Sequence, residues 1–243
     1  LSAEGAPVGV LVVHGFTGSP HSMRPLAEAY VAAGYTVEMP LLPGHGTSLD
    51  HMLTTGWADW SGAAEAAYLD LAGRCEQVVV AGLSMGGTLT LWLATRHPEI
   101  AGIVLVNPAA PPPGWSTETI EGLQALADAG MVAMDAIGSD IAKEDVVELA
   151  YEQTPIVPLI DLLRNAEEVA GRLDTVRCPV LLMNSPEDHV VPPEQAEHVA
   201  ASVAGPLERV TLERSYHVAT LDHDRDLIIE KALEFTRRVT GAA

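Results

Sequence analysis

The chain has 243 residues, 48% hydrophobic and 19% charged, which is enough apolar material for a full core in one domain and too much for a disordered segment. Its 33 acidic and 13 basic residues leave a formal net charge of -20. That balance argues against nucleic acid, whose phosphates need clustered Lys and Arg, and against docking on anionic lipid; a neutral substrate is expected, and plain solubility explains most of the acidity.

Val8 to Val13 is an unbroken β-branched run, read as a buried parallel strand. Helical spacing follows over His21–Ala33, with Gly34 as its stop, then a short strand over Tyr35–Met39. Ala58–Gly73 reads as a helix, Gln77–Ala81 as a strand, Thr88–His97 as a helix and Gly102–Val106 as a strand. This alternation predicts an α/β fold: a mostly parallel central sheet with helices on both faces. From Asn107 to Arg177 no strand is evident, and helices are expected around Ile120–Ala129, Lys143–Tyr151 and Pro158–Leu173. The alternation resumes with Val180–Asn184, Pro193–Val203, Glu208–Leu212 and Arg225–Val239. The expected division is therefore a core of residues 1–107 and 177–243, with a helical cap over 108–176 inserted between sheet strands.

Cys75 and Cys178 belong to no CxxC pair and are expected to be two buried free thiols rather than a disulfide. No membrane-spanning run is present, and a cytoplasmic location is expected if the chain is whole. No zinc-site spacing, H-E-x-x-H, Walker A or strand-following G-x-G-x-x-G appears, so neither metal nor cofactor is expected. A homodimer is compatible with the chain.

Gly82-Leu-Ser-Met-Gly86 follows an apolar strand and opens a helix. A serine on a sharp strand-to-helix turn presents its hydroxyl to a cleft, and side chains two residues to either side would collide, hence the glycines. The bland alternative is a glycine-rich turn with an incidental serine; the strand-turn-helix setting favours Ser84 as nucleophile. The N–H of Met85, at the helix N-terminus, suits an oxyanion donor. Phe16, in the His14-Gly-Phe-Thr-Gly18 loop after the first strand, is the choice for the second. His14 itself is read as pinning that loop.

Serine needs a histidine to take its proton and a carboxylate to orient the ring, in chain order Ser, acid, His. His217 follows the last strand by a short loop, whereas the other eight histidines lie on helical faces or in unrelated loops and read as surface or structural. After Val180–Asn184 the loop offers Glu187 and Asp188; Asp188 is chosen because a short carboxylate can also bond the turn backbone before Val190-Val191-Pro192. Glu187 is the alternative. Asp222, Asp224 and Asp226 read as the acidic first turn of the last helix.

These segments resemble the bacterial monoacylglycerol lipases over essentially the whole chain. The resemblance rests on His14-Gly-Phe-Thr-Gly-Ser-Pro-His-Ser-Met-Arg-Pro-Leu26, Pro43-Gly-His-Gly-Thr47, Gly82-Leu-Ser-Met-Gly-Gly-Thr88, Glu187-Asp-His-Val-Val-Pro-Pro193 and Ser215-Tyr-His-Val-Ala-Thr-Leu-Asp222. Within the expected cap it rests on Ile137-Gly-Ser-Asp140 and Glu148-Leu-Ala-Tyr-Glu152. It implies the α/β-hydrolase fold and cofactor-free hydrolysis of monoacylglycerols, small neutral lipid esters, to glycerol and fatty acid. It implies the same triad, Ser84, Asp188 and His217, and the same donors, Phe16 and Met85. It further implies that Ile137 narrows the entrance and that Glu148 bonds glycerol hydroxyls. The rival readings are a general carboxylesterase for short acyl chains and a non-catalytic binding relative.

Overall fold

The computed structural model describes residues 1–242. In chain order its elements are β1 (Ser2–Ala3), β2 (Ala6–Val13), α1 (Arg24–Ala32), β3 (Tyr35–Glu38), α2 (Leu49–Met52), α3 (Trp57–Arg74), β4 (Gln77–Leu83), α4 (Met85–Arg96) and β5 (Gly102–Val106). After these come α5 (Thr117–Asp128), β6 (Ala133–Asp135), β7 (Gln153–Pro155), α6 (Ile156–Ala170), β8 (Val180–Asn184), α7 (Glu194–Ser202), β9 (Leu207–Thr211) and α8 (Arg225–Thr240).

The main sheet runs β1-β3-β2-β4-β5-β8-β9. Every pairing is parallel except the two-residue edge strand β1 on β3. The central strands are apolar on both faces, as helices on both sides require. Alternate residues feed two cores. Leu11, Val13, Val80 and Leu182 pack under α3, α4, α6 and α7. Val10, Val12, Ala81 and Met183 pack under α1 and α8. Trp60 and Tyr68 on one face, and Tyr30 and Phe235 on the other, are each at most 1% exposed. Burying a side chain of that size contributes roughly 2–3 kcal/mol of transfer free energy.

The expected strands and helices of the sheet are present, most with ends moved by one to three residues. The short β1 and α2 carry too few residues to show a period in the sequence. Between β5 and β8 the chain runs through an insertion carrying α5, β6, β7 and α6, and two differences from expectation appear in it. Lys143–Tyr151 is irregular rather than helical. Its backbone N–H groups go to tertiary partners instead: Lys143 N to the Asp222 carboxylate, Glu148 N to Ser139 Oγ and Tyr151 N to Thr17 O. Those bonds replace the intrahelical ladder, and Asp145 takes φ 62°. The second difference is a small antiparallel ribbon, β6 with β7, pairing Met134 with Thr154. Three-residue strands leave no readable alternation.

Candidate active site

Ser84 joins β4 to α4 with φ 57° and ψ −122°, a conformation costly for a residue with a Cβ. The turn closes only because its neighbours are bare. A Cβ on Gly82 would fall on the Gly86 carbonyl, and one on Gly86 would fall on the Val13 carbonyl. The backbone holds the strain from both sides, with Ser84 N donating to Val106 O at 3.1 Å and Thr88 N donating to Ser84 O at 3.1 Å. The half-buried Ser84 hydroxyl faces the same cavity as His217, a space of about 370 Å³. Among the described residues Ser84 Oγ makes no protein hydrogen bond, and the hydroxyl and the ring meet only as walls of that one cavity.

His217 lies in the loop after β9 and is 7% exposed. Its Nδ1 donates to Asp188 Oδ2 at 2.8 Å. The carboxylate accepts, so a ring proton sits on Nδ1, and the Nε2 of the neutral tautomer is the nitrogen left to accept. Asp188 Oδ1 in turn accepts from Val190 N at 2.9 Å and Val191 N at 2.8 Å. Both carboxylate oxygens are thereby occupied, and the side chain is 2% exposed. Glu187, the alternative, is exposed. Of the histidines, His217 alone is found on the cavity wall among the described residues.

The loop after β2 comes against the serine, since a Cβ on Gly15 would stand 3.3 Å from Ser84 Cβ. Among the described residues, the N–H groups of Phe16 and Met85 have no protein acceptor. Phe16 follows Gly15 and Met85 follows Ser84, so two unspent backbone donors flank this turn. His14 holds this loop in place. Its Nε2 accepts from Leu42 N at 3.1 Å, which fixes Nδ1 as the donor to Gly15 O at 2.9 Å.

Burial, with the neighbouring His45 adding to it, lowers the His14 pKa from 6.5 to about 3. The unfolded chain therefore binds a proton that the folded chain refuses between those values. Stability from this group is complete above pH 6.5 and falls as the pH drops through that window. By pH 5 the loss should be about 2 kcal/mol. Urea unfolding at pH 7 and pH 5 checks it: His14→Asn should lose about 2 kcal/mol less than wild type on acidification. Equal losses would show that His14 does not carry the effect.

The insertion supplies the rest of the wall. Leu159, Leu163, Met134 and Ile137 give it an apolar lining, and Ile137 is 70% exposed. Glu148 reaches in beside Gly18, whose added Cβ would approach Glu148 Oε1 to 2.8 Å. Burial raises its pKa, opposed by the nearby His217 and the Ser22 hydroxyl. Tyr151 ties this arm to the Pro43–Thr47 loop, donating to Gly44 O at 2.6 Å and accepting from Thr47 N at 3.0 Å.

Asp222 and Asp224 differ from expectation. Of the three read as the first turn of the last helix, Asp226 lies there and Asp224 stands at its N-cap, whereas Asp222 precedes it; Asp222 and Asp224 are 2% and 3% exposed. Asp224 accepts from Arg214 N and Ser215 Oγ, and Asp222 from Tyr216 N, so both build the His217 loop. Asn107 was also hidden in the sequence. At φ 43° its amide donates to His217 O at 2.8 Å and its carbonyl accepts from Ser185 N at 2.8 Å. A polar residue closing an apolar strand was the available signal. Cys75 and Cys178 are free thiols, Cys75 being half-buried rather than fully so. Among the described residues no helix is long and apolar enough to cross a membrane.

A strained serine turn from strand to helix and a histidine held by a carboxylate, facing one cavity above a parallel sheet, define a hydrolase of the α/β class. The chain belongs to the alpha/beta hydrolase family, whose model matches residues 10–230. It is 49% identical to a thermostable monoacylglycerol lipase of Bacillus sp. (strain H-257), covering 98% of this chain and 94% of that one. A carboxylesterase of Bacillus subtilis (strain 168) is 28% identical over 97% of this chain and 95% of its own length. A solved structure from work on LipS and LipT, two metagenome-derived lipolytic enzymes, superposes with TM-score 0.93 at 43% identity, covering 98% of this chain and 96% of that one.

Proposed function

We propose that this chain hydrolyses monoacylglycerols to glycerol and free fatty acid through an acyl-enzyme on Ser84, with Asp188 and His217 completing the triad. The observation that carries the reading is the Asp188–His217 bond of 2.8 Å on a ring that shares one cavity with Ser84. Residues 1–107 and 177–243 act as the hydrolase core, and 108–176 act as the cap that shapes the substrate space. The free thiols are at home in a reducing compartment, which supports a cytoplasmic setting.

His217 Nε2 takes the Ser84 proton as Oγ attacks the ester carbonyl. The tetrahedral oxyanion is received by the N–H groups of Phe16 and Met85, each worth on the order of 3 kcal/mol. His217 then protonates the departing glycerol oxygen, and a water activated by the same ring releases the fatty acid. Asp188 holds the ring and stabilises its cationic form. The apolar wall takes the acyl chain. Glu148 is the acceptor for glycerol hydroxyls, and Ile137 narrows the mouth.

Matched glycerol and methyl esters of one long acyl chain test the substrate assignment. Wild type should favour the glycerol ester in kcat/KM by about tenfold or more. Glu148→Gln should erode that preference by roughly 10-fold, the loss expected of a hydrogen bond to a charged acceptor, with little change on the methyl ester. Equal rates on both esters in wild type would instead favour a general carboxylesterase.

A further inference from the structure

His217 sits outside any helix or strand, so beyond the Asp188 bond to Nδ1 its ring is placed by its two flanking peptide groups. Those groups are held from opposite sides by side chains far away in the chain. From the core, Asn107 Nδ2 donates to His217 O at 2.8 Å and to Tyr216 O at 3.2 Å. From the insertion, Asp140 Oδ2 accepts from His217 N at 3.0 Å. The Asp140 backbone carbonyl also accepts from Val218 N at 3.0 Å.

The Asp140 carboxylate does a second job. Its Oδ2 accepts from His189 N at 3.1 Å, and its Oδ1 takes the His189 ring Nδ1 at 2.8 Å. His189 follows Asp188 directly. One carboxylate, 10% exposed, therefore grips the residue that carries the imidazole and the residue next to the acid that orients it. The adjacent Ser139 Oγ accepts from Glu148 N at 2.8 Å. On the far side, Asp222 reaches back to accept from Ala142 N at 2.7 Å and Lys143 N at 2.9 Å. Bonds thus run in both directions between this arm and the histidine loop.

From this geometry we propose that Asp140 is a positioning residue: through its carboxylate the inserted segment sets the His217 backbone against the Asp188 loop, so that the cap helps to align the base as well as enclosing substrate. The proposal rests on the hydrolase reading of Ser84, Asp188 and His217. Removing the carboxylate frees the His217 N–H and the His189 N–H together, and the imidazole then samples orientations in which Nε2 misses the serine. A displacement of about 1 Å costs on the order of 100-fold in rate.

The test compares Asp140→Ala, Asp140→Asn and wild type in steady-state hydrolysis of one monoacylglycerol. Rates are normalised to folded protein by near-UV circular dichroism. Stoichiometric acylation by a fluorophosphonate is followed in parallel. Asp140→Ala should lower kcat roughly 10- to 100-fold, leave KM within about threefold and slow acylation by a similar factor. Asp140→Asn keeps an acceptor oxygen for His217 N and should recover most of the loss. If Asp140→Ala keeps kcat within twofold, or raises KM with kcat unchanged, Asp140 does not position the base. An Asn variant as poor as Ala, with folded fraction accounted for, would equally overturn the role of the accepted hydrogen bond. A wild-type protein that resists the fluorophosphonate would bring down the hydrolase reading instead, which separates the two failures.

Discussion

Ser84→Ala is expected to lower kcat for monoacylglycerol by about 10⁵- to 10⁶-fold while the protein remains folded. The size follows from the unit the residue belongs to. In the proposed mechanism there is no covalent step without the hydroxyl, and neither His217 nor Asp188 has a partner to act on. What remains is binding plus the two backbone donors, which supply only a small share of the rate enhancement. Folding should survive because the Ser84 side chain makes no hydrogen bond among the described residues, while the strained backbone at φ 57° is held by main-chain bonds to Val106 and Thr88 that alanine keeps. The check is a pair of measurements on one preparation: turnover by fatty-acid release, and thermal unfolding compared with wild type. Residual turnover within a hundredfold of wild type would mean that another residue attacks the ester.

Asp188→Asn should cost on the order of 10⁴-fold in kcat near neutral pH, with KM little changed. The reason lies in the orientation forced on the amide. Val190 N and Val191 N both donate to Oδ1, so that site demands an acceptor. The asparagine carbonyl must take it, and the NH2 group then faces His217 Nδ1. A donor there selects the imidazole tautomer with its proton on Nε2, and that nitrogen can no longer accept the serine proton. The same variant should gain activity as pH rises and hydroxide competes as base, unlike wild type. A pH profile of kcat/KM from 6 to 10 decides it. A variant within tenfold of wild type at pH 7 would show that Asp188 does not set the tautomer.

How much of this could be read from the residues depended on how local the cause was. The β4–α4 turn was legible because the steric demand of a serine at positive φ falls on glycines two positions away, inside one short motif. The parallel sheet was legible because burial on both faces leaves continuous apolar runs such as Val8–Val13. His217 was singled out by its position after the last strand and Asp188 by the turn it can bond, and the structure joins the two at 2.8 Å. The insertion resisted for the opposite reason. Lys143–Tyr151 looks helical by composition, yet its N–H groups are claimed by Asp222, Ser139 and Thr17, residues up to 134 positions away by their numbers, and no window of sequence displays that competition. Asp222 and Asp224 misled because an acidic pair before a helix resembles a charged first turn. Only the fold shows their carboxylates turned inward onto Tyr216 N and Arg214 N. Asn107 and Asp140 hold His217 through its backbone, and such contacts leave no motif.

The most direct measurement is peptide mapping by mass spectrometry after brief exposure to a stoichiometric fluorophosphonate. The account predicts one adduct per chain, on the hydroxyl of residue 84, absent from Ser84→Ala and formed far more slowly in Asp188→Asn. A protein that stays unlabelled, or one whose label maps to a different side chain, would contradict it.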